Sequence, residues 1–175
     1  RLSYYYEGGA TGVAYGTTPT PAEANRLQLG ATDPVYFATI DEACFLKAEA
    51  YARLNDAANA KSNYEEAIRA AFARCGCTGA DELIAGDYAF TDGTTEQMVE
   101  QIINHKWASN VRCMPIESWF DMNRTGYPTR GTTITASEGV LGGFPCRFLY
   151  PYNSTDYNPN APQVEPLTAK MWWHK

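Results

Sequence analysis

"TIDEACFLKAEAYARLNDAANAKSNYEEAIRAAFARCG", residues 39 to 76, holds two helical periods separated by one break. Thr39 stands where an N-cap is needed, and Glu42 three residues on completes the pattern of a capping box. Ile40, Cys44, Ala48 and Ala52 then recur every four residues, with Phe45 and Tyr51 widening the same side. The spacing predicts a helix of about four turns. Asn55-Asp56 interrupts it, after which Ala60, Tyr64, Ala67, Ile68, Ala71 and Phe72 repeat at three and four until Gly76 ends the second helix.

Small alanines on facing helices let the two axes approach, and Tyr64 and Phe72 fill the gaps that remain. Two such helices joined by a tight turn, the second carrying Ala-x-x-x-Tyr-x-x-Ala-Ile, have the pattern of a tetratricopeptide-type hairpin. One hairpin cannot cover its own apolar face, so further elements must pack on it. The next candidates lie downstream. "TTEQMVEQIINHKWASN" (94 to 110) offers Thr94 or Thr95 as cap and Met98, Val99, Ile102, Ile103 and Trp107 as an apolar side. "PIESWFDMNRTGYP" (115 to 128) opens on Pro115 at the first helical position, carries Ile116, Trp119, Phe120 and Asn123 at helical spacing, and stops at Gly126 and Pro128.

The flanks lack this period. Residues 1 to 39 are rich in Tyr, Gly, Thr and Pro, and residues 129 to 175 in Gly, Pro and Asn, so both read as irregular segments. The hydrophobics of the second, Phe144, Phe148, Leu149 and Tyr150 with the final Met-Trp-Trp-His-Lys, predict that it is pinned on the helices. The expected fold is mainly α. An irregular aromatic-rich region (1–39), a tetratricopeptide-like helical region (40–128) and an irregular carboxyl-terminal segment (129–175) form one structural domain.

With 45% hydrophobic and 19% charged residues over 175 positions, the chain can bury a core. A formal charge of −6 without a run of Lys or Arg argues against nucleic-acid binding, which needs a clustered positive surface. No apolar stretch approaches the roughly 20 residues that span a bilayer. The chain begins with Arg1, which suggests a portion of a longer polypeptide. The five cysteines leave at least one unpaired if all bridges are internal, and spacing leaves the pairing open, Cys113 to Cys146 being the candidate bridge. Cys75-Gly-Cys77 lacks the second pair of a zinc site, so no metal is expected.

Catalysis finds little support. Glu117 and Asp121 sit at i and i+4, about 6 Å apart at Cβ, a separation that a carboxylate pair could use. Neighbours on one helix do not straddle a substrate bond, however, and Arg124 extends them into an ion-pair side that serves structure. Neither of the two histidines, His105 and His174, has ligand-type neighbours at helical spacing, and no nucleophile elbow, metalloprotease or phosphate-loop motif occurs. No cofactor is implied.

Binding is better supplied. Aromatic residues outside the helical periods include Tyr4, Tyr5, Tyr6 and Tyr15 in the first irregular region, Tyr152 and Tyr157 in the second, and Trp172 with Trp173 at the end. Sugars stack their C–H faces on such rings while Asn, Asp or Arg groups hydrogen-bond the hydroxyls. Trp172 and Trp173 are expected to anchor the chain end, and Arg147 to tie the last segment to a helix carboxylate. The ligand-binding candidates are therefore Tyr4, Tyr5, Tyr6 and Tyr15.

"TIDEACFLKAEAYARL" (39–54), "EQIINHKWASN" (100–110), "ESWFDMNRTGYP" (117–128), "RFLYP" (147–151), "NPNAP" (158–162) and "KMWWHK" (170–175), in this order over most of the chain, resemble the SusD/RagB family, closest to its SusD-like branch. The five cysteines and Asn123, which stands where a second arginine often precedes Arg-Thr-Gly-Tyr-Pro, depart from the family pattern. The resemblance implies a non-catalytic glycan-binding or peptide-binding lipoprotein, exposed on the outer membrane of Bacteroidetes. It would be anchored through an upstream lipid and would act as the lid of a SusC-like TonB-dependent transporter in nutrient uptake. It also implies that this chain is the carboxyl-terminal portion of such a protein. A helical-repeat docking scaffold is the alternative expectation, and a glycoside hydrolase the least supported.

Overall fold

A computed structural model of the chain describes residues 6–7, 26–27, 30–129, 144–161 and 166–175, the first two pairs by backbone alone. Helix α1 (Ile40–Arg53) and helix α2 (Ala57–Arg74) form the hairpin, α3 (Ala80–Ala85) is a short turn of helix after it, and α4 (Thr95–Asn110) and α5 (Pro115–Thr125) follow. A last short helix, α6 (Tyr152–Asp156), lies in the carboxyl-terminal segment. The architecture is mainly α. A two-residue antiparallel pair, β1 (Tyr6–Glu7) with β2 (Arg26–Leu27), sets Tyr6 opposite Leu27.

The helix ends follow local chemistry. Thr39 accepts a hydrogen bond from the Glu42 backbone N–H at 3.2 Å, and Asp56 from that of Asn59 at 3.1 Å. Thr94 and Gln97 make a reciprocal capping box on α4. The Glu42 side chain does not complete a box on α1; it points toward Lys106, 3.9 Å away. Helix α2 closes in a Schellman motif: Gly76 N–H reaches Ala73 O at 3.0 Å and Cys77 N–H reaches Phe72 O at 2.9 Å. Gly76 adopts φ 63° there, a left-handed conformation that glycine takes without a Cβ penalty.

The core joins α1, α2 and α4. Phe45, Ala48 and Ala52 meet Ala60, Tyr64, Ala67, Ile68 and Phe72, and Met98, Val99, Ile102 and Ile103 close the other side. Tyr64 is fully buried, yet its hydroxyl donates to the Tyr88 carbonyl at 3.0 Å, so the polar tip is satisfied. His105 stands edge-on to Tyr64 and Tyr88, with ring centroids 5.4 and 4.5 Å away, and serves as packing.

Two faces differ from the expectation. On α1, Ile40 is 72% exposed, and the inward positions are Asp41, Phe45, Ala48, Glu49 and Ala52. On α4 the inward stripe runs on through Lys106, Ser109 and Asn110, leaving Trp107 half exposed. Both departures have one cause: carboxylates meet guanidinium or ammonium groups from neighbouring helices in the interior, so polar positions take the buried register.

Ala48 has no exposed surface at the α1–α2 seam. Ala48→Leu should therefore overpack it and lower unfolding free energy by about 1–3 kcal/mol, read from urea denaturation.

Candidate functional site

The carboxylates considered for catalysis lie in a buried ion-pair network between α1, α4 and α5. Asp121 accepts from Lys106 at 2.8 Å and from Arg124 at 2.8 Å. Arg124 also forks onto Glu49 from the facing helix, at 2.5 and 2.8 Å, and Glu49 takes Arg53 at 2.7 Å. Lys106 is only 2% exposed. Its charge is tolerated because Asp121 compensates it inside. The ion-pair side expected along α5 thus exists, but it faces inward and recruits Glu49 of α1 where Glu117 had been expected.

The electrostatics follow. Burial pushes the Glu49 carboxyl upward, but hydrogen bonds and charge from Arg124 and Arg53 outweigh it and hold it below the ordinary carboxylate range. Asp41 behaves alike: burial opposes ionisation, while hydrogen bonds from Arg74, Ser109 and Thr39 with the Arg74 charge prevail. Arg74 reaches both Asp41 oxygens, at 3.2 and 2.9 Å. Glu42 is the exception, since burial raises it and Lys106 compensates only in part. None of these carboxylates is poised as an acid–base pair across a cleft. Their geometry joins helices.

The outer side of α5 carries the carboxyl-terminal segment. Trp119 donates through Nε1 to the Pro145 carbonyl at 3.1 Å and packs on Phe148, ring centroids 5.1 Å apart. Phe120 meets Trp173 at 6.1 Å, and Lys175 N–H bonds Asn123 O at 3.2 Å. The helical spacing of Ile116, Trp119, Phe120 and Asn123 suggests a core-facing side, but Trp119 and Phe120 do not face the helical core: the inward residues of α5 are Ser118, Asp121, Asn123 and Thr125, and the aromatic pair lies beneath the terminal segment. Arg147 stacks over Tyr150, 5.7 Å from its centroid, with no helix carboxylate among the described residues as its partner. Cys44, Cys75, Cys77, Cys113 and Cys146 are all free thiols, so the candidate Cys113–Cys146 bridge is not formed. Burial pushes the Cys113 thiol up, away from the reactive thiolate.

Of the ligand candidates, Tyr4, Tyr5 and Tyr15 lie outside the described residues, as does the side chain of Tyr6. Tyr152 begins α6 and Tyr157 is exposed. The two terminal tryptophans, expected to behave alike, separate: Trp173 is packed and Trp172 is 92% exposed. Sequence reasoning missed Lys106 as an interior residue. Its signal was present, because the 99–102–103–106–110 spacing continues the buried stripe of α4.

The fold and packing define a class: a tetratricopeptide-like helical scaffold overlaid by irregular chain. The family model described as SusD-like, starch-binding associating with outer membrane, matches residues 4–151, and the chain belongs to this family. SusD-like proteins are carbohydrate-binding and non-catalytic. Solved structures share the fold. A SusD homologue from Bacteroides thetaiotaomicron aligns over 98% of this chain with TM-score 0.74 at 22% identity. One from Bacteroides uniformis aligns over 88% with TM-score 0.69 at 24% identity, and a chitin-binding SusD homologue from Flavobacterium johnsoniae over 76% with TM-score 0.61 at 23%. The chain spans 48%, 40% and 35% of their respective lengths. No curated protein is significantly similar in sequence.

Two outcomes test the network. Asp121→Asn leaves buried Lys106 with only the more distant Glu42, 3.9 Å away, as a carboxylate partner and should cost about 3–5 kcal/mol in a denaturation curve. Asp41 and Glu49 have folded values below their ordinary 3.8 and 4.5, so their stabilisation is complete above those values and is lost as pH falls through the lower folded ones. The melting temperature should fall steeply on acidification below about pH 4.5, and Glu49→Gln should flatten that limb.

Proposed function

We propose that this chain is the carboxyl-proximal portion of a non-catalytic glycan-binding protein, surface-exposed and lipid-anchored on the outer membrane, that captures oligosaccharide for a SusC-like TonB-dependent transporter. The observation that carries this reading is the family match over residues 4–151. The fold adds support of a different kind. Its interior carboxylates are committed to ion pairs, so its chemistry is that of a rigid support for ligand-bearing loops. The ligand would be held by aromatic stacking and hydroxyl hydrogen bonds, with Tyr4, Tyr5, Tyr6 and Tyr15 as proposed contacts. Lid closure over the transporter would then hand the ligand on.

A docking role for the hairpin is the second reading. It is favoured by the apolar surface that Val35, Phe37 and Ile40 leave exposed at the start of α1. Titrating the longer parent protein and this chain separately with maltoheptaose, chitohexaose and a mixed peptide library separates the two. Saturable oligosaccharide binding without release of reducing ends supports capture. Binding of neither sugar by the parent, with retention of the transporter in a pull-down, replaces it with docking.

A further inference from the structure

The terminal turn treats its two tryptophans oppositely, and the turn is closed twice. His174 N–H donates to the Met171 carbonyl at 3.1 Å, and Met171 N–H donates to His174 Nδ1 at 3.1 Å. The second bond leaves the proton of the neutral ring on Nε2; burial, aided by the Lys170 charge, lowers the pKa of His174 and favours that neutral form. Trp173 packs edge-on against His174, centroids 4.0 Å apart, and against Phe120, while Lys175 N–H ties the next residue to α5. Trp172 is therefore held outward between fixed neighbours. An indole left in water on a doubly closed turn forgoes its own burial, a loss that a flexible end would not enforce.

Beside it opens a cleft of about 310 Å³ whose lining includes Arg53, Glu96, Arg124, Lys175 and Trp172. This volume lies at the small end of small-molecule sites. Its polar groups carry both signs. Arg124 pairs with Asp121 as well as with Glu49, Arg53 pairs with Glu49, and Lys175 with Glu96, so each of these cations already has a carboxylate partner and none calls for an ionic ligand. The Lys175–Glu96 pair is exposed and cheap to exchange for ligand contacts. A carboxylate that accepts next to guanidinium and ammonium groups that donate matches vicinal hydroxyls, each of which both donates and accepts.

We propose that this cleft is a carbohydrate subsite separate from the amino-proximal tyrosines. A neutral pyranose lays its C–H face on Trp172, and its hydroxyls bond Glu96, Arg53 and Lys175. The inference rests on the carbohydrate-binding reading but adds a site which that reading does not require.

Indole ¹H–¹⁵N spectra of the chain, with Trp172 assigned through Trp172→Phe, are recorded during titration with maltoheptaose and with chitohexaose. The Trp172 signal should move saturably with one of them. Trp172→Ala should weaken that binding about tenfold with its melting temperature unchanged, and Glu96→Gln should weaken it in the same direction. Sugar binding with the Trp172 signal stationary and Trp172→Ala at native affinity overturns the subsite and leaves the functional reading intact. Failure of this chain to bind either sugar overturns the subsite, and failure of the longer parent as well removes the functional reading with it.

Discussion

The Asp121 carboxylate, closed between Lys106 and Arg124, is the contact on which the outer half of the structure depends. Helix α5 turns Ser118, Asp121, Asn123 and Thr125 inward, so no apolar stripe seats it on the bundle. Charge pairing and hydrogen bonds seat it instead. Arg124 extends the attachment to Glu49 on α1, and Lys106 extends it to α4, so three helices meet at one carboxylate and one guanidinium. Such a joint is directional where hydrophobic contact is not, and it fixes the rotation of α5 about its axis.

That rotation has consequences further out. With its polar side inward, α5 offers Trp119 and Phe120 to the carboxyl-terminal segment, which covers them through Pro145, Phe148 and Trp173. The segment returns along α5 and ends beside Glu96 and Tyr127, where Lys175 lies over the Tyr127 ring. The cleft next to Trp172 is made from this arrangement: Arg53 from α1, Glu96 from α4, Arg124 from α5 and the terminal turn converge because α5 sits where its charges hold it. A surface for noncovalent capture needs such fixed geometry, since a ring that must be ordered on binding loses affinity to entropy.

Much of the helical scaffold was legible before any coordinates. Thr39, Asp56 and Thr94 cap helices because short polar side chains satisfy the orphan N–H groups of a first turn, and Gly76 and Gly126 end helices because they accept left-handed backbone. The Ala48–Ala67–Tyr64 seam followed from spacing alone. Less of the candidate site was legible. The family resemblance indicated the class of protein, whereas the individual aromatic contacts had no periodicity to fix their direction.

The sequence by itself determined where the four long helices begin and end, though not the short α3 and α6, and which small residues let α1 and α2 approach. These are properties of one segment at a time. The tertiary structure decided that Lys106 goes in and Trp107 stays out, that α5 rests on its charged side, and that Trp173 anchors while Trp172 is displayed. A buried charge is stable only beside a partner from another element, and an aromatic ring is covered only if another element arrives above it. Neither partner can be read from the helix that carries the residue.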